Sequence, residues 1–432
     1  MKIVGFLNSK NIRVATIGGV LVKFLSALFA FVNGILLARL LTLKDFGIYT
    51  IAFITANILL TVVSYGLPNL LTFYVSQYLG NANYAALKGI LIRASQFVFS
   101  MLVMLFAVSF ITYLFFWQNE SVNFVETMWV SLLLVPVLAF GGLRSSVLRG
   151  FQYIILAEMP DTLIRNFLFF IALFCIYLLN LNLSPQEAML YHLMAGIISF
   201  LFGVILLNMK LRKVLAGIDA VFHTKEWFKK ATPFAISSNI QILKTRIFNY
   251  LITFFSGLEA VAVFEIAFRA ANLVSFTLSA INSAINPYIA KAFSEKNRNH
   301  IQKIVTRANQ LSLASSLPVA LIFIIGGEWL LGILFGKEYT TAYIPLIILC
   351  IGQLVNAAAG SAGPVLGMTG NQGYLSKNLF QMFVLTVVFS IPLIIYYDTL
   401  GAAIAYSLVL IIQNFLQITF IKNRLNIKTS LW

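Results

Sequence analysis

The sequence predicts an all-α integral membrane protein of about twelve transmembrane helices, arranged as two six-helix bundles. Of the 432 residues, 60% are hydrophobic and 10% are charged, whereas soluble domains carry about 25% charged residues. Apolar runs recur from residue 12 to residue 421, each about twenty residues long, which is the length of a membrane-spanning helix. Barrel strands would alternate polar and apolar residues over roughly ten positions, so the runs favour helices.

Gly, Pro and charged residues divide the apolar sequence into its predicted spans. The first run is too long for a cleavable signal peptide and Lys23 interrupts it, so we interpret it as the first span. Internal prolines are compatible with spanning helices when neighbouring groups satisfy the freed backbone. The predicted spans are 12–40, 46–67, 88–116, 128–149, 160–180, 188–209, 231–256, 260–286, 304–325, 343–366, 376–397 and 400–421.

The distribution of basic residues predicts the orientation. If the N-terminus is cytoplasmic, only three of the 30 Lys and Arg residues, Arg39, Lys44 and Lys337, fall in outer loops. Most others fall in cytoplasmic segments, as the positive-inside rule requires. We therefore expect both termini to be cytoplasmic. The net charge of +16 is explained by topology, and we expect no nucleic acid partner.

An internal repeat accompanies this topology. Residues 46–53 and 261–268 share Ile-Ala-Phe at a shift of 215 residues, and weaker matches follow at Tyr74/Tyr288 and Gly150/Gly370. The long cytoplasmic segment 210–230 then reads as a linker between bundles 1–209 and 231–432. Six spans per half make the repeat parallel, an arrangement that places the transport path between halves that rock against each other.

Ionisable residues inside spans are costly and are functional candidates by default. Arg165 and Arg269 each lie one turn from an acid, Asp161 and Glu265, so a local ion pair or snorkelling to the membrane surface explains each of them. By contrast, Lys23, Lys244 and Arg246 have no carboxylate at helical spacing. Lys23 lies roughly 16 Å into its span, near the bilayer middle.

Polar residues form stripes along the spans that carry these charges. One stripe joins Lys23 to Asn33 in span one, another joins Glu265, Arg269 and Asn272 in span eight, and Arg246 lies on a third in span seven. Such stripes are alternatively helix-packing faces. We favour a wet cationic cavity with an anionic cargo, phosphate or diphosphate. The predicted substrate-binding residues are Lys23, Asn33, Lys244, Arg246, Arg269 and Asn272.

The sequence contains no pattern typical of an enzyme or of a cofactor site. Cys175 and Cys350 fall inside apolar spans, the three histidines lack ligand spacing, and no phosphate-binding glycine loop is present. We therefore expect no catalytic residue, no metal and no cofactor.

Three segments resemble bacterial oligosaccharide flippases. Residues 38–49 (Ala-Arg-Leu-Leu-Thr-Leu-Lys-Asp-Phe-Gly-Ile-Tyr) are similar to the family's first outer loop, 74–80 (Tyr-Val-Ser-Gln-Tyr-Leu-Gly) to the loop after span two, and 148–152 (Leu-Arg-Gly-Phe-Gln) to the loop after span four. These flippases form the polysaccharide transport branch of the multidrug/oligosaccharidyl-lipid/polysaccharide exporter superfamily, abbreviated MOP.

The resemblance implies movement of an undecaprenyl-diphosphate-linked oligosaccharide, such as an O-antigen unit of lipopolysaccharide or a capsule unit, to the outer face of the bacterial inner membrane. Membrane lipid, a polysaccharide polymerase and assembly proteins are the implied partners. The family's cationic lumen is consistent with Lys23, Lys244, Arg246 and Arg269. If a proton or sodium gradient drives transport, Glu265, inside span eight, is the candidate coupling residue.

Two other functions stay open. A cation-coupled multidrug exporter of related fold would use buried acids, but Lys23, Lys244 and Arg246 outnumber Glu265. A membrane polymerase, ligase or glycosyltransferase acting on lipid-linked sugars would need a sizeable outer loop. The largest outer segments, 117–127 and 326–342, are short.

Overall fold

In a computed structural model, residues 9–117 and 120–429 are described, and they are helical almost throughout with no strand among them. A π-helical turn, Met159–Ile164, joins α6 to α7, and a 3-10 turn, Lys337–Ala342, precedes α12. The helices are α1 (Ser9–Leu40), α2 (Leu43–Ser64), α3 (Leu67–Gly80), α4 (Tyr84–Phe116), α5 (Val122–Gly150), α6 (Ile154–Glu158), α7 (Arg165–Leu178), α8 (Pro185–Leu215), α9 (Thr224–Ser256), α10 (Leu258–Ser294), α11 (Arg298–Leu334), α12 (Tyr343–Ala359), α13 (Ala362–Met368) and α14 (Gln372–Leu425).

The predicted all-α membrane fold is confirmed. Within the described residues, 10 helical segments are long and apolar enough to cross a membrane. The sequence predicted about twelve spans, and the difference arises at α9 and α14.

Helix α14 contains two predicted spans. Its 54 residues would extend roughly 80 Å as one straight helix, against a hydrocarbon core of about 30 Å. Asp398 interrupts it with a non-helical backbone, φ 49° and ψ −128°. The chain reverses there, and the backbone on the two sides of the reversal is in close contact. A Cβ on Gly401 would lie 1.9 Å from the carbonyl oxygen of Leu393. Residues 372–397 and 399–425 are called the first and second arms of α14.

The two arms of α14 pack side by side. The rings of Tyr374 and Phe420 stack with centroids 3.7 Å apart, and Gln417 donates a 2.9 Å hydrogen bond to Asn378. Each arm therefore corresponds to one predicted span, 376–397 or 400–421.

Helix α9 includes the predicted span 231–256 but is absent from the apolar segments. Lys244, Arg246 and Asn249 lower its hydropathy, and its crossing of the membrane stays a prediction.

The described chain divides into two compact units between Ile242 and Leu243, inside α9. Segment 210–230, predicted as a linker, belongs to the first unit and packs against its helices. The Val221 N–H donates to the Ala85 carbonyl at 3.0 Å, and Trp227 Nε1 donates to the Tyr78 hydroxyl at 2.9 Å. The predicted domain limits of 209 and 231 stay a prediction.

Both units contain helical segments in the same order, which agrees with the predicted repeat. The segments of the second unit begin 215, 214, 215 and 218 residues after their counterparts in the first. The paired starts are Leu43 and Leu258, Tyr84 and Arg298, Val122 and Lys337, and Ile154 and Gln372.

Candidate anion-binding site

Two arginines share one buried carboxylate in the second unit. Arg246 Nη1, from α9, lies 3.5 Å from Glu265 Oε2, and Arg269 Nε, one turn further along α10, donates to Glu265 Oε1 at 2.9 Å. The Glu265 side chain is 4% exposed, whereas those of Arg246 and Arg269 are 29% and 23% exposed. Asn249 completes the cluster by donating to Glu265 Oε2 at 3.2 Å. The cluster therefore keeps one net positive charge.

The Arg269–Glu265 pair confirms the expected local ion pair. Arg246 has no carboxylate at helical spacing in its own span, and its acid comes instead from a neighbouring helix. Helical spacing within one span reveals only partners three or four residues away.

Lys244 is buried in the second unit without an acid. The residue is 8% exposed, and its ammonium donates to the side-chain amide of Gln413 on the second arm of α14. It forms no ion pair with any residue that the structure describes. A neutral amide satisfies one donor but leaves the charge uncompensated, and an unpaired buried charge is costly.

Asn272 belongs to a network of side-chain amides. Its Oδ1 accepts from Gln353 Nε2 at 3.3 Å, and Gln353 also lies 3.4 Å from the Tyr406 hydroxyl. Asn356 donates to Gln353 at 3.3 Å and accepts from Asn414 at 3.0 Å. The network joins α10, α12 and the second arm of α14. Sequence reasoning missed Gln353 and Asn414, which are polar interruptions in otherwise apolar spans.

Lys23 and Asn33 belong to the first unit. The Lys23 side chain is exposed and forms no ion pair among the described residues. Asn33 is 4% exposed and donates to the Asn166 carbonyl of α7 at 2.9 Å. Asn166 in turn donates to Ser26 Oγ at 3.1 Å. This part of the α1 stripe is a helix-packing contact, and cargo binding by Lys23 and Asn33 stays a prediction.

Of the two explanations for Arg165, the ion pair with Asp161 was wrong. Asp161 Oδ2 instead lies 2.7 Å from Arg144 Nη2 of α5, whose side chain is 2% exposed. Asp161 lies in the π-helical turn between α6 and α7, and its carboxylate pairs with the neighbouring helix instead of with Arg165. Arg165 Nε is buried without a hydrogen-bond partner in the described chain. Glu158 and Asp161 also lie inside an apolar helical segment, 154–178, so carboxylates within such segments occur in both units.

No group of three or more His, Cys, Asp or Glu residues able to hold a metal ion occurs in the described ranges.

Comparison with known families decides the class of the chain. The model of the polysaccharide biosynthesis protein family matches residues 15–293. The chain belongs to the polysaccharide biosynthesis protein family. A second model, MatE, matches residues 233–390, which include the Arg246–Glu265–Arg269 cluster.

Relatives of this polysaccharide biosynthesis protein occur in archaea and bacteria. It is 23% identical to an uncharacterized membrane protein of Methanocaldococcus jannaschii over 93% of this chain and 82% of that protein. It is 21% identical to the probable low-salt glycan biosynthesis flippase Agl15 of Haloferax volcanii, over 56% of this chain and 50% of that protein. It is 25% identical to the capsular polysaccharide biosynthesis protein CapF of Staphylococcus aureus, over 43% and 46% of the two chains.

Solved structures share the fold. An inward-facing multidrug resistance MATE family transporter of the MOP superfamily superposes with a TM-score of 0.78 at 15% identity, covering 95% of this chain and 98% of that one. A MOP superfamily transporter from Pyrococcus furiosus, described as having a binding pocket of reverse polarity, gives 0.68 at 15% identity, covering 95% and 94%. This polysaccharide biosynthesis protein is therefore a multi-pass membrane protein with the same fold as these transporters.

Proposed function

We propose that this protein is a flippase that moves a diphosphate-linked oligosaccharide on an undecaprenyl-type lipid across the cytoplasmic membrane by alternating access. The observation that carries the proposal is the excess of bases over acids among these residues of the second unit. The partly exposed Arg246 and Arg269 share one buried carboxylate, Glu265, and the buried Lys244 contacts only an amide among the described residues.

The chemistry of these bases suits a diphosphate. Guanidinium groups form paired, charge-assisted hydrogen bonds to phosphate oxygens, and an ammonium adds a point charge. The two guanidiniums are partly exposed, whereas their acid is buried. An anion can therefore contact the arginines while Glu265 stays shielded from it. A bound diphosphate would compensate the cluster's positive charge and that of Lys244.

The amide network suits the sugar part of such a cargo. Amide groups both donate and accept hydrogen bonds, which matches the hydroxyl groups of a glycan. Asn272 lies one turn from Arg269 on α10, so the network begins next to the charged cluster.

The remaining parts of the proposal come from the resemblance and the charge distribution. We propose an inner-membrane location with both termini cytoplasmic, no enzymatic step, and operation beside a polysaccharide polymerase and its assembly proteins. O-antigen and capsule units are the proposed glycans. Glu265, held by two arginines, is the proposed site of any proton or sodium coupling.

A deletion experiment tests the proposal. Cells that lack the protein should accumulate the lipid-linked oligosaccharide on the cytoplasmic face, and the wild-type gene should restore surface glycan. Lys244→Gln should fail to restore it, whereas Lys337→Gln, which removes an exposed charge in the 3-10 turn, should succeed. Normal surface glycan in the deletion strain, or full rescue by Lys244→Gln, would reject the proposal.

A cation-coupled multidrug exporter is the second candidate, because the MatE model covers the charged cluster and Glu265 is a buried acid. Expression in an exporter-deficient host distinguishes the two functions. Increased resistance to organic cations that Glu265→Gln abolishes would favour the exporter.

A further inference from the structure

A groove of about 360 Å³ opens beside the C-terminal end of α14. It lies outside the charged cluster and the amide network, so the proposed function does not use it. The lining residues are Tyr374, Leu416, Thr419, Phe420, Asn423 and Arg424.

The groove changes from apolar to polar along one helix face. Leu416, Thr419, Phe420 and Asn423 recur at the spacing of one face of the second arm, and Arg424 follows in the last turn. From Leu416 to Arg424 the helix rises roughly 12 Å. A phospholipid has the same order of groups, from acyl chain through glycerol esters to phosphate.

The base of the groove is held in place by the first arm. The Tyr374 ring stacks on Phe420 at 3.7 Å, and the Tyr374 hydroxyl donates to the Leu416 carbonyl at 3.1 Å. These contacts fix the apolar wall, whereas Asn423 and Arg424 are exposed. The groove therefore combines an apolar wall with an accessible basic rim.

The charge at this end of the unit favours an anion. Arg424 forms no ion pair among the residues that the structure describes. The cytoplasm-assigned segments at this end of the unit are strongly basic. The acid among their described residues is Glu295, which lies 3.9 Å from Lys291. Their other basic residues are Lys296, Arg298, Lys303, Arg307, Lys377, Lys422 and Lys428.

We infer that this groove binds the headgroup of an anionic phospholipid of the cytoplasmic leaflet. Arg424 and the Asn423 amide hold the phosphate, the Thr419 hydroxyl hydrogen-bonds an ester oxygen, and an acyl chain lies along Leu416 and Phe420. Basic pockets at the cytoplasmic ends of transmembrane helices are general binding sites for such headgroups. The site retains a resident lipid and is separate from the cargo path.

The test measures lipid retention by the purified full chain. Protein in detergent is incubated with phosphatidylglycerol or phosphatidylcholine, and bound lipid is counted by native mass spectrometry. Wild type should retain phosphatidylglycerol in preference to phosphatidylcholine. Arg424→Gln should lower that retention about tenfold or more, because it removes charge-assisted hydrogen bonds to the phosphate. Lys422→Gln is the matched control, since it removes the same charge from the same turn without lining the groove.

Three results would overturn the inference. Equal retention of the two lipids by wild type would show that the headgroup charge is not recognised. Equal losses in Arg424→Gln and Lys422→Gln would show general electrostatic attraction without a site. Displacement of phosphatidylglycerol by undecaprenyl diphosphate, dependent on Arg424, would assign the groove to the cargo.

Discussion

The guanidinium of Arg246 lies 3.5 Å from the carboxylate of Glu265, although the two residues come from different helices. Arg269 holds the second carboxylate oxygen at 2.9 Å. One buried acid therefore sets the positions of two bases and links α9 to α10. An anion that binds these arginines must compete with Glu265, so this acid lowers the affinity of the arginines for the anion.

Replacing Glu265 with Gln should destabilise the protein. Breaking a buried ion pair costs about 3–5 kcal/mol, and the partial exposure of both arginines should reduce this to about 2 kcal/mol. Thermal unfolding in detergent measures the effect. Glu259→Gln, at an exposed position in the first turn of the same helix, should cost less than about 1 kcal/mol. Equal unfolding temperatures for the two variants would contradict the shared ion pair.

Replacing Lys244 with Met should leave stability within about 1 kcal/mol of wild type. The change removes the cost of burying an ammonium while keeping side-chain volume, and it loses one hydrogen bond to Gln413. The same thermal measurement applies. A loss of several kcal/mol would mean that Lys244 supports the fold, and its assignment as a group reserved for cargo would fail.

Replacing Gly203 with Ala should displace Arg144 from its ion pair with Asp161. A Cβ on Gly203 would lie 2.4 Å from the guanidinium carbon of Arg144, so the side chain must move in a packed site, at a cost of about 1–3 kcal/mol. Gly326→Ala is the control, because nothing lies within 4 Å of its Cβ position, and it should stabilise its helix slightly. If both variants unfold together with wild type, the close packing is absent.

Acid should loosen the start of α9 from α3. Hydrogen bonds from Lys230 and from Tyr74 (3.0 and 2.8 Å) lower the pKa of Glu226 below its usual value of 4.5. The contact therefore stabilises fully above pH 4.5 and weakens as the pH falls through the lower folded-state pKa. Hydrogen exchange at residues 224–230, corrected for intrinsic rates, should accelerate at acidic pH. Glu226→Gln should remove the pH dependence, and an unchanged dependence in that variant would assign it to another group.

The sequence predicted the features that follow from the spacing of residues along the chain. Apolar run length predicted the membrane fold, the shift of 215 residues predicted two similar halves, and the spacing of four residues predicted the Glu265–Arg269 pair. Contacts between helices were not predictable, because periodicity does not identify neighbours. Arg246 thus pairs with an acid of α10, and Lys244 donates a hydrogen bond to an amide of α14.

Three further features of the structure concern single predicted residues or spans. Asp161, in the π-helical turn at Met159–Ile164, pairs with Arg144 of α5 instead of Arg165, and its own helix gave no sign of that partner. Asn33 was predicted from a polar stripe, but a stripe does not distinguish a cavity wall from a packing face, and Asn33 contacts Asn166. The reversal at Asp398 separated two arms, as the run lengths had indicated.

The proposed transport depends on recognition of the cargo's diphosphate by the basic groups of the second unit. The most direct measurement is the rate at which purified protein in liposomes moves a fluorescent undecaprenyl-diphosphate-linked oligosaccharide between leaflets. Wild type should move it at least about tenfold faster than Lys244→Gln, a difference of about 1.4 kcal/mol in the barrier, and should not move an analogue with a neutral linkage. Equal rates for wild type and Lys244→Gln, or equal rates for the two cargos, would contradict recognition of the diphosphate by these bases.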